Sequence, residues 1–346
     1  MQLTGAWQID VILWMREALP GLVGFFEVIT SFGGEMFFLV TLPLLYWCID
    51  RRTGARLTAL FLVSTITNGA LKLTFGSPRP MDVAPDRLAG LFPEGVAAAK
   101  EHYEASGYGF PSGHTQTTVV VWSYLIHRVA DLRRRATESS IRGLTVAFYA
   151  IAALLLILVP LSRVYLAVHY VTDVIGGFIF GAAVLGLYLW LAPRAEDALS
   201  RWGLVGQLGV AIGLPVVAAM LVRSEGAVTA AGTLLGMGCG FALERQWVGF
   251  ECRGTLAQRA GRFALGIAVL GGLYAGLKVA FGALEPHLLW RFVRYALVGL
   301  WGGLGAPWAF VKLKLAKGTR GSLAAESRLA RDRSPASGGS PNDTLV

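Results

Sequence analysis

Apolar residues in this chain fall into blocks of about 20 separated by short polar connectors, rather than into alternating or one-faced patterns. A block of that length crosses a bilayer as a helix, the form in which every backbone polar group is satisfied internally. The first block covers residues 32–49 and stops at Asp50-Arg51-Arg52; the second covers 55–75 and carries Asn68 and Lys72 near its far end. Further blocks follow at 113–128, 143–161 and 169–191, then at 204–221, 227–243, 263–281 and 288–311. The last four are rich in Gly and Ala, which suits close helix packing in lipid. Ahead of them all, residues 7–26 mix Trp, Ile, Leu and Phe with Asp10, Arg16, Glu17 and Pro20, and predict an amphipathic helix lying in the interface. The pattern predicts an all-α, polytopic helical membrane protein with about nine transmembrane helices and an N-terminal interfacial helix.

Composition agrees. Of 346 residues, 54% are hydrophobic and only 15% charged, too little polar surface for a soluble domain of this size. The net charge of +9 sits on connectors between apolar blocks, which is a topology signal and argues against nucleic-acid binding. Counting Lys and Arg in those connectors places the N-terminus outside and the C-terminus in the cytoplasm, with 76–110 and 162–168 together on the non-cytoplasmic side. The Arg, Ala and Gly bias points to a GC-rich bacterial genome, hence an inner membrane with that side facing the periplasm (the lumen in a eukaryote). No removable signal peptide is expected. Cys48, Cys239 and Cys252 lack zinc-type spacing. Asn342-Asp343-Thr344, a formal glycosylation acceptor, falls on the cytoplasmic side and is read as chance. The tail from 317, rich in Ser, Gly, Pro and charge, is expected to be disordered. The expected organisation is an interfacial segment (1–34), a helical bundle (35–192), additional transmembrane helices (193–316) and the tail (317–346).

The chemistry concentrates in three segments on the outer side. Residues 162–173, Ser-Arg-Val-Tyr-Leu-Ala-Val-His-Tyr-Val-Thr-Asp, put His169 four residues before Asp173, one helical face if the segment is helical. An Asp can hold one imidazole nitrogen and leave the other free to attack, and Arg163 offers a permanently charged fork for an oxyanion. Lys72-Leu-Thr-Phe-Gly-Ser-Pro-Arg79-Pro80 sets two cations at a helix end that breaks into a proline-bounded turn. Pro111-Ser112-Gly113-His114 opens the third block, where a helix N-terminus offers free amides to an anion. Between the last two lies the longest polar insertion, 76–110, read as functional because pointed sequence bounds it on both sides. Each segment alone has a plain structural explanation: snorkelling, an N-cap, a buried ion pair. All three on one membrane face do not.

Together these segments resemble the signature of the type 2 phosphatidic acid phosphatase family, related to vanadium haloperoxidases and glucose-6-phosphatase: Lys, six residues, Arg-Pro; Pro-Ser-Gly-His; Ser-Arg, five residues, His, three residues, Asp. Every element matches, and the resemblance covers roughly 35–192. The extra C-terminal helices are similar to the longer members, such as sphingosine-1-phosphate phosphatase and glucose-6-phosphatase. The resemblance implies that His169 attacks phosphorus to give a phosphohistidine while Asp173 fixes its tautomer. It implies that His114 protonates the leaving oxygen and then activates water. Lys72, Arg79 and Arg163 would bind the phosphoryl oxygens, with the Ser112 hydroxyl and the Gly113 amide. No carboxylate cluster of metal-binding type accompanies the motif, so catalysis without metal or other cofactor is expected. Vanadate is expected to inhibit as a transition-state mimic.

The implied substrate is a lipid phosphate or prenyl diphosphate reaching the site sideways from the bilayer. The alternatives are a soluble phosphate ester, as for glucose-6-phosphatase, and a non-catalytic transporter or binding protein using the same cationic pocket. A haloperoxidase is disfavoured, since those relatives are soluble. His102, His127 and His287 read as solvated or interfacial, and Phe92, Tyr103, Tyr108 and Phe110 receive no role. Glu244 and Lys278, ionisable groups in or near the C-terminal blocks, are flagged as functional or snorkelling.

Overall fold

Two helices, α1 (Ala6–Ala18) and α2 (Val23–Ser31), stand where one interfacial helix was expected, because Pro20 and Gly21, at φ 78°, break the chain between them. The structure, a computed structural model, describes residues 5–135, 142–282 and 287–318. Most of the tail and the centre of the basic 128–142 connector therefore lie outside the described residues, as does Asn342. Gly33 and Gly34 bend the path by 41° into α3 (Glu35–Leu44), which continues through a π-helical turn, Leu45–Ile49. Asp50 accepts from the Thr53 amide at 2.6 Å and so caps α4 (Arg51–Phe75). The long polar insertion is structured: α5 (Pro80–Val83), α6 (Pro85–Leu88), a 3₁₀ turn (Ala89–Leu91) and α7 (Val96–His102).

Next come α8 (Gly113–Arg135), α9 (Arg142–Tyr165), α10 (Val171–Arg201), α11 (Gly203–Leu221), α12 (Glu225–Trp247) and α13 (Leu256–Phe281). Then α14 (Leu288–Leu300), a π-helical turn (Trp301–Gly305) and α15 (Ala306–Lys312) close the described chain. Among the described residues, six helices are long and apolar enough to span a membrane, or seven if α2 and α3 form one bent span. The expected count of nine included α8 and the last block. α8 falls short because it turns polar side chains inward: Thr115, Gln116 and Thr118 are fully buried. The last block is interrupted by its π-helical turn. The connector expected at 194–201 is the end of α10.

Helices α4, α8, α9 and α10 pack on one another, and the C-terminal helices join them through α4 and the π-helical turn of α3. There Tyr46 and Trp47 donate to the carbonyls of Gly303 and Gly302. Glu244 is accounted for structurally. It is 1% exposed, bound at 3.0 Å through both oxygens by Arg51, and accepts from the Phe250 amide at 2.6 Å. Lys278 is exposed.

Gly232, Gly236 and Gly240 form a small-residue stripe on α12 against α14 and the turn after it. A methyl at Gly236 would lie 2.0 Å from the Ala296 carbonyl oxygen, so the backbones themselves are in contact. Gly236→Val is expected to destabilise the detergent-purified protein by about 1–3 kcal/mol, the range for overpacking a tight contact. A drop in thermal unfolding midpoint checks this; an unchanged midpoint would mean the two helices separate freely.

Candidate active site

Gly76, in the left-handed conformation at φ 56°, ends α4 and turns the chain outward just after Lys72. Three residues later Arg79 starts α5, its amide donating to Asp82 Oδ2 at 3.3 Å. The Arg79 side chain is 4% exposed and held on three sides. Nε donates to the Gly107 carbonyl, Nη2 to that of Ser106 and Nη1 to that of Val168, each at 3.0 Å. The inserted loop is therefore the frame that aims one guanidinium.

α9 ends in a tight turn that carries the next two groups. The Arg163 carbonyl accepts the amides of both Val168 and His169, at 3.2 and 3.1 Å, while Ala167 takes φ 57°. His169 thus lies in the turn before α10, not on the helix that its spacing to Asp173 suggested. Asp173 sits in the first turn of α10 and reaches back. Its Oδ2 accepts from the Tyr170 amide at 3.0 Å and lies 3.1 Å from His169 Nδ1. Nε2 of the same ring stands 3.3 Å from Arg79 Nη1. An arginine only donates, so Nε2 bears the lone pair and Nδ1 the proton, shared with the carboxylate. Burial lowers the His169 pKa well below its usual value, and Arg79, Arg163, Lys72 and His114 lower it further. The imidazole is thereby held toward its neutral form, with the lone pair on Nε2.

The start of α8 supplies the third segment. The Ser112 amide donates to the Asp173 carbonyl at 2.9 Å. Ser112 Oγ, fully buried, accepts from Thr115 Oγ1 at 3.1 Å and Thr115 N at 3.4 Å, which leaves its own proton to donate. Glycine makes the approach possible: a methyl at Gly177 of α10 would come 2.8 Å from the Ser112 carbonyl and 2.7 Å from Thr115 Cβ. His114 faces the Gly33–Gly34 bend, since a methyl at Gly34 would lie 3.7 Å from its Nε2. Lys72, Arg79, His114, Arg163, His169 and Asp173 are brought within electrostatic reach of one another, and Ser112 is tied to the same place through the Asp173 carbonyl.

Several residues that hold the site were not singled out for it from sequence. Asn68 donates to Gln116 at 2.9 Å and to the Pro111 carbonyl at 3.3 Å, and Gln116 donates to Ser64, locking α8 on α4. The polarity of Asn68 inside an apolar block was the available signal. Gly109 lets the loop pass the carboxylate, for a methyl there would lie 2.9 Å from Asp173 Oδ2. Thr30 and Gln8, on α2 and α1, touch Arg163 and Thr172 and gave no sequence signal. His102 in the inserted loop and His127 within α8 are exposed, in keeping with the solvated and interfacial readings.

Residues 53–197 match the family described as PAP2 superfamily, and 228–318 match PAP2 superfamily phosphatase, transmembrane extension. Lipid phosphate phosphatase delta of Arabidopsis thaliana is 28% identical over 56% of this chain and 44% of its own length, so the chain spans less than half of that relative. Phosphatidylglycerophosphatase B of Bacillus subtilis is 28% identical over 53% of this chain and 76% of that protein. Glucose-6-phosphatase 3 of Bos taurus is 26% identical, and the match covers 85% of this chain and 84% of that one. The two family matches together take in the histidine–aspartate turn, the cation cradle and the C-terminal helices: this integral membrane chain belongs to the PAP2 superfamily of phosphatases.

Proposed function

We propose that the chain hydrolyses the phosphate ester or diphosphate of a lipid through a phosphohistidine at His169 Nε2, without metal. The observation that carries this is a neutral imidazole, oriented by Asp173 and facing the Arg79 guanidinium at 3.3 Å, among the cations Lys72 and Arg163. Phosphoryl transfer needs mainly positioning and stabilisation of spread negative charge, and three cations supply the charge a metal would otherwise bring. Asp173 keeps the Nδ1 proton in place and stabilises the imidazolium that forms on attack. His114, kept protonated by the bound phosphate dianion, gives its proton to the leaving oxygen, then takes one from the water that opens the phosphohistidine. Ser112 and the Gly113 amide complete the anion contacts at the α8 N-terminus.

A lipid substrate is in keeping with the apolar residues near Lys72 and Arg79 in sequence: Leu73, Phe75 and Val83 are each 46–50% exposed, surface on which an acyl or prenyl chain can lie. Loop charge supports a site opening to the periplasm, with the N-terminus outside and the C-terminus in the cytoplasm.

Phosphate release by purified protein in EDTA tests the proposal. The substrates are phosphatidic acid, sphingosine-1-phosphate, phosphatidylglycerophosphate, undecaprenyl diphosphate and glucose-6-phosphate. Turnover of a lipid, undiminished by EDTA and inhibited by vanadate, is the expected result. Preference for glucose-6-phosphate would move the substrate to the soluble class. Binding of a lipid phosphate with no release of phosphate would replace hydrolysis by transport or binding.

A further inference from the structure

The two guanidiniums of the cradle are not held alike. Arg79 is fixed by the three loop carbonyls of Ser106, Gly107 and Val168. Arg163 is 3% exposed, and its Nε has no hydrogen-bond partner among the described residues. Among the described residues one side-chain bond restrains it: Nη1 donates to Thr30 Oγ1 at 2.7 Å. Thr30 lies on α2, ahead of the 53–197 stretch that matches the phosphatase family.

The segment bearing Thr30 is built onto the site rather than laid beside it. Gln8 of α1, fully buried, accepts from both the amide and the hydroxyl of Thr172 at 3.0 Å, next to Asp173. The Tyr165 hydroxyl donates to the Leu19 carbonyl at 2.8 Å, between α1 and α2. Arg16 donates to the Leu91 carbonyl and lies over the Tyr165 ring. Asp10 pairs with Arg87 at 2.6 Å, and Tyr103 donates to Glu27 at 2.8 Å. These contacts fix α2 relative to the α9 turn, so Thr30 is a stationary acceptor.

Resting on the phosphatase reading of the site, we propose that Thr30 is a positioning residue: it holds the Arg163 guanidinium in the orientation that meets the phosphoryl group. Arginine carries several rotatable bonds, and a cation that must be reoriented on each encounter loses the advantage of a preorganised site. A hydrogen bond to a charged group, left unmade in a buried place, corresponds to about a 10- to 100-fold change.

Thr30→Val keeps the side-chain shape and removes the acceptor. It is expected to lower kcat/KM by about 10- to 100-fold and raise the vanadate inhibition constant in parallel. Thr30→Ser, which restores the oxygen, is expected to return both to within about threefold of wild type. In an Arg163→Ala background, Thr30→Val is expected to add nothing, because contacting residues that act through one group are not additive. A merely structural threonine would lower the unfolding midpoint while leaving the vanadate constant alone, or would cost the same with Arg163 absent; either result overturns the proposal. If Thr30→Val does not accumulate, Thr30→Ala read against Thr30→Ser makes the same comparison. The vanadate arm also separates two failures. If wild type releases no phosphate from any ester, the enzymatic reading falls, yet vanadate protection against heat still reports whether Thr30 sets the grip of Arg163 on an oxyanion.

Discussion

His169→Ala is expected to abolish phosphate release, with turnover falling by about 10⁴-fold or more, while the protein folds and still binds its lipid. The size follows from the chemistry. Without Nε2 the reaction must proceed by direct attack of water, and only the cation cradle remains to help; knocking out a nucleophile elsewhere leaves a comparable residue of catalysis. Folding should survive, because the ring is held by Asp173 and the turn itself is closed by main-chain bonds to the Arg163 carbonyl. Rapid acid-free quenching of wild type during turnover should trap phosphate on protein, and the variant should trap none. The neutral state of the wild-type ring also has a sign in pH. Its pKa is held below the usual value of about 6.5, so loss of the nucleophile by protonation falls on the acid side of that value. A variant that retains turnover would place the nucleophile elsewhere.

His114→Asn carries the second large effect, a fall of about 10²–10⁴-fold on a lipid phosphate, the usual contribution of a general acid–base group. The loss should depend on the leaving group. An alkoxide needs a proton as it departs, whereas p-nitrophenolate does not, so formation of the phosphohistidine from p-nitrophenyl phosphate should be nearly spared. Its breakdown still needs water activated by a base. The variant should therefore give a burst of p-nitrophenol followed by a slow steady state, and phosphoenzyme should accumulate. Equal losses on both substrates with no burst would assign His114 to binding instead.

Much of this site was legible because its chemistry is written in short spacings. Lys72 to Arg79, Ser112 to His114 and Arg163 to Asp173 each sit within one turn or helix end, and loop charge put all three on one side. What escaped depends on contacts far apart in sequence. Thr30 meets Arg163 across 133 residues, and Gln8 meets Thr172 across 164. Both belong to a segment whose mixture of aromatic and charged residues reads as an interfacial helix. Glu244 reads from sequence as either functional or snorkelling, and neither reading includes Arg51, 193 residues away, which holds both its oxygens. The α8 helix shows a different limit. Hydropathy averages all faces of a helix, and the inward polar face that serves the site lowers the average below that of a span. His169 and Asp173 share a spacing typical of one helical face, yet they meet across a helix start, because a carboxylate in the first turn can reach back as well as along.

The turn that ends α9 has a mechanical meaning. With the Arg163 carbonyl bound to the amides of Val168 and His169, clamp and nucleophile belong to one closed ring of main chain. The distance between their α-carbons is set by covalent bond lengths and peptide geometry, not by how the surrounding helices lean. A bilayer that thickens, thins or changes curvature can tilt the long helices without stretching this ring. The main-chain spacing between Arg163 and His169 is thus insulated from the elasticity of the membrane around it, while the Arg163 guanidinium still follows Thr30 of α2.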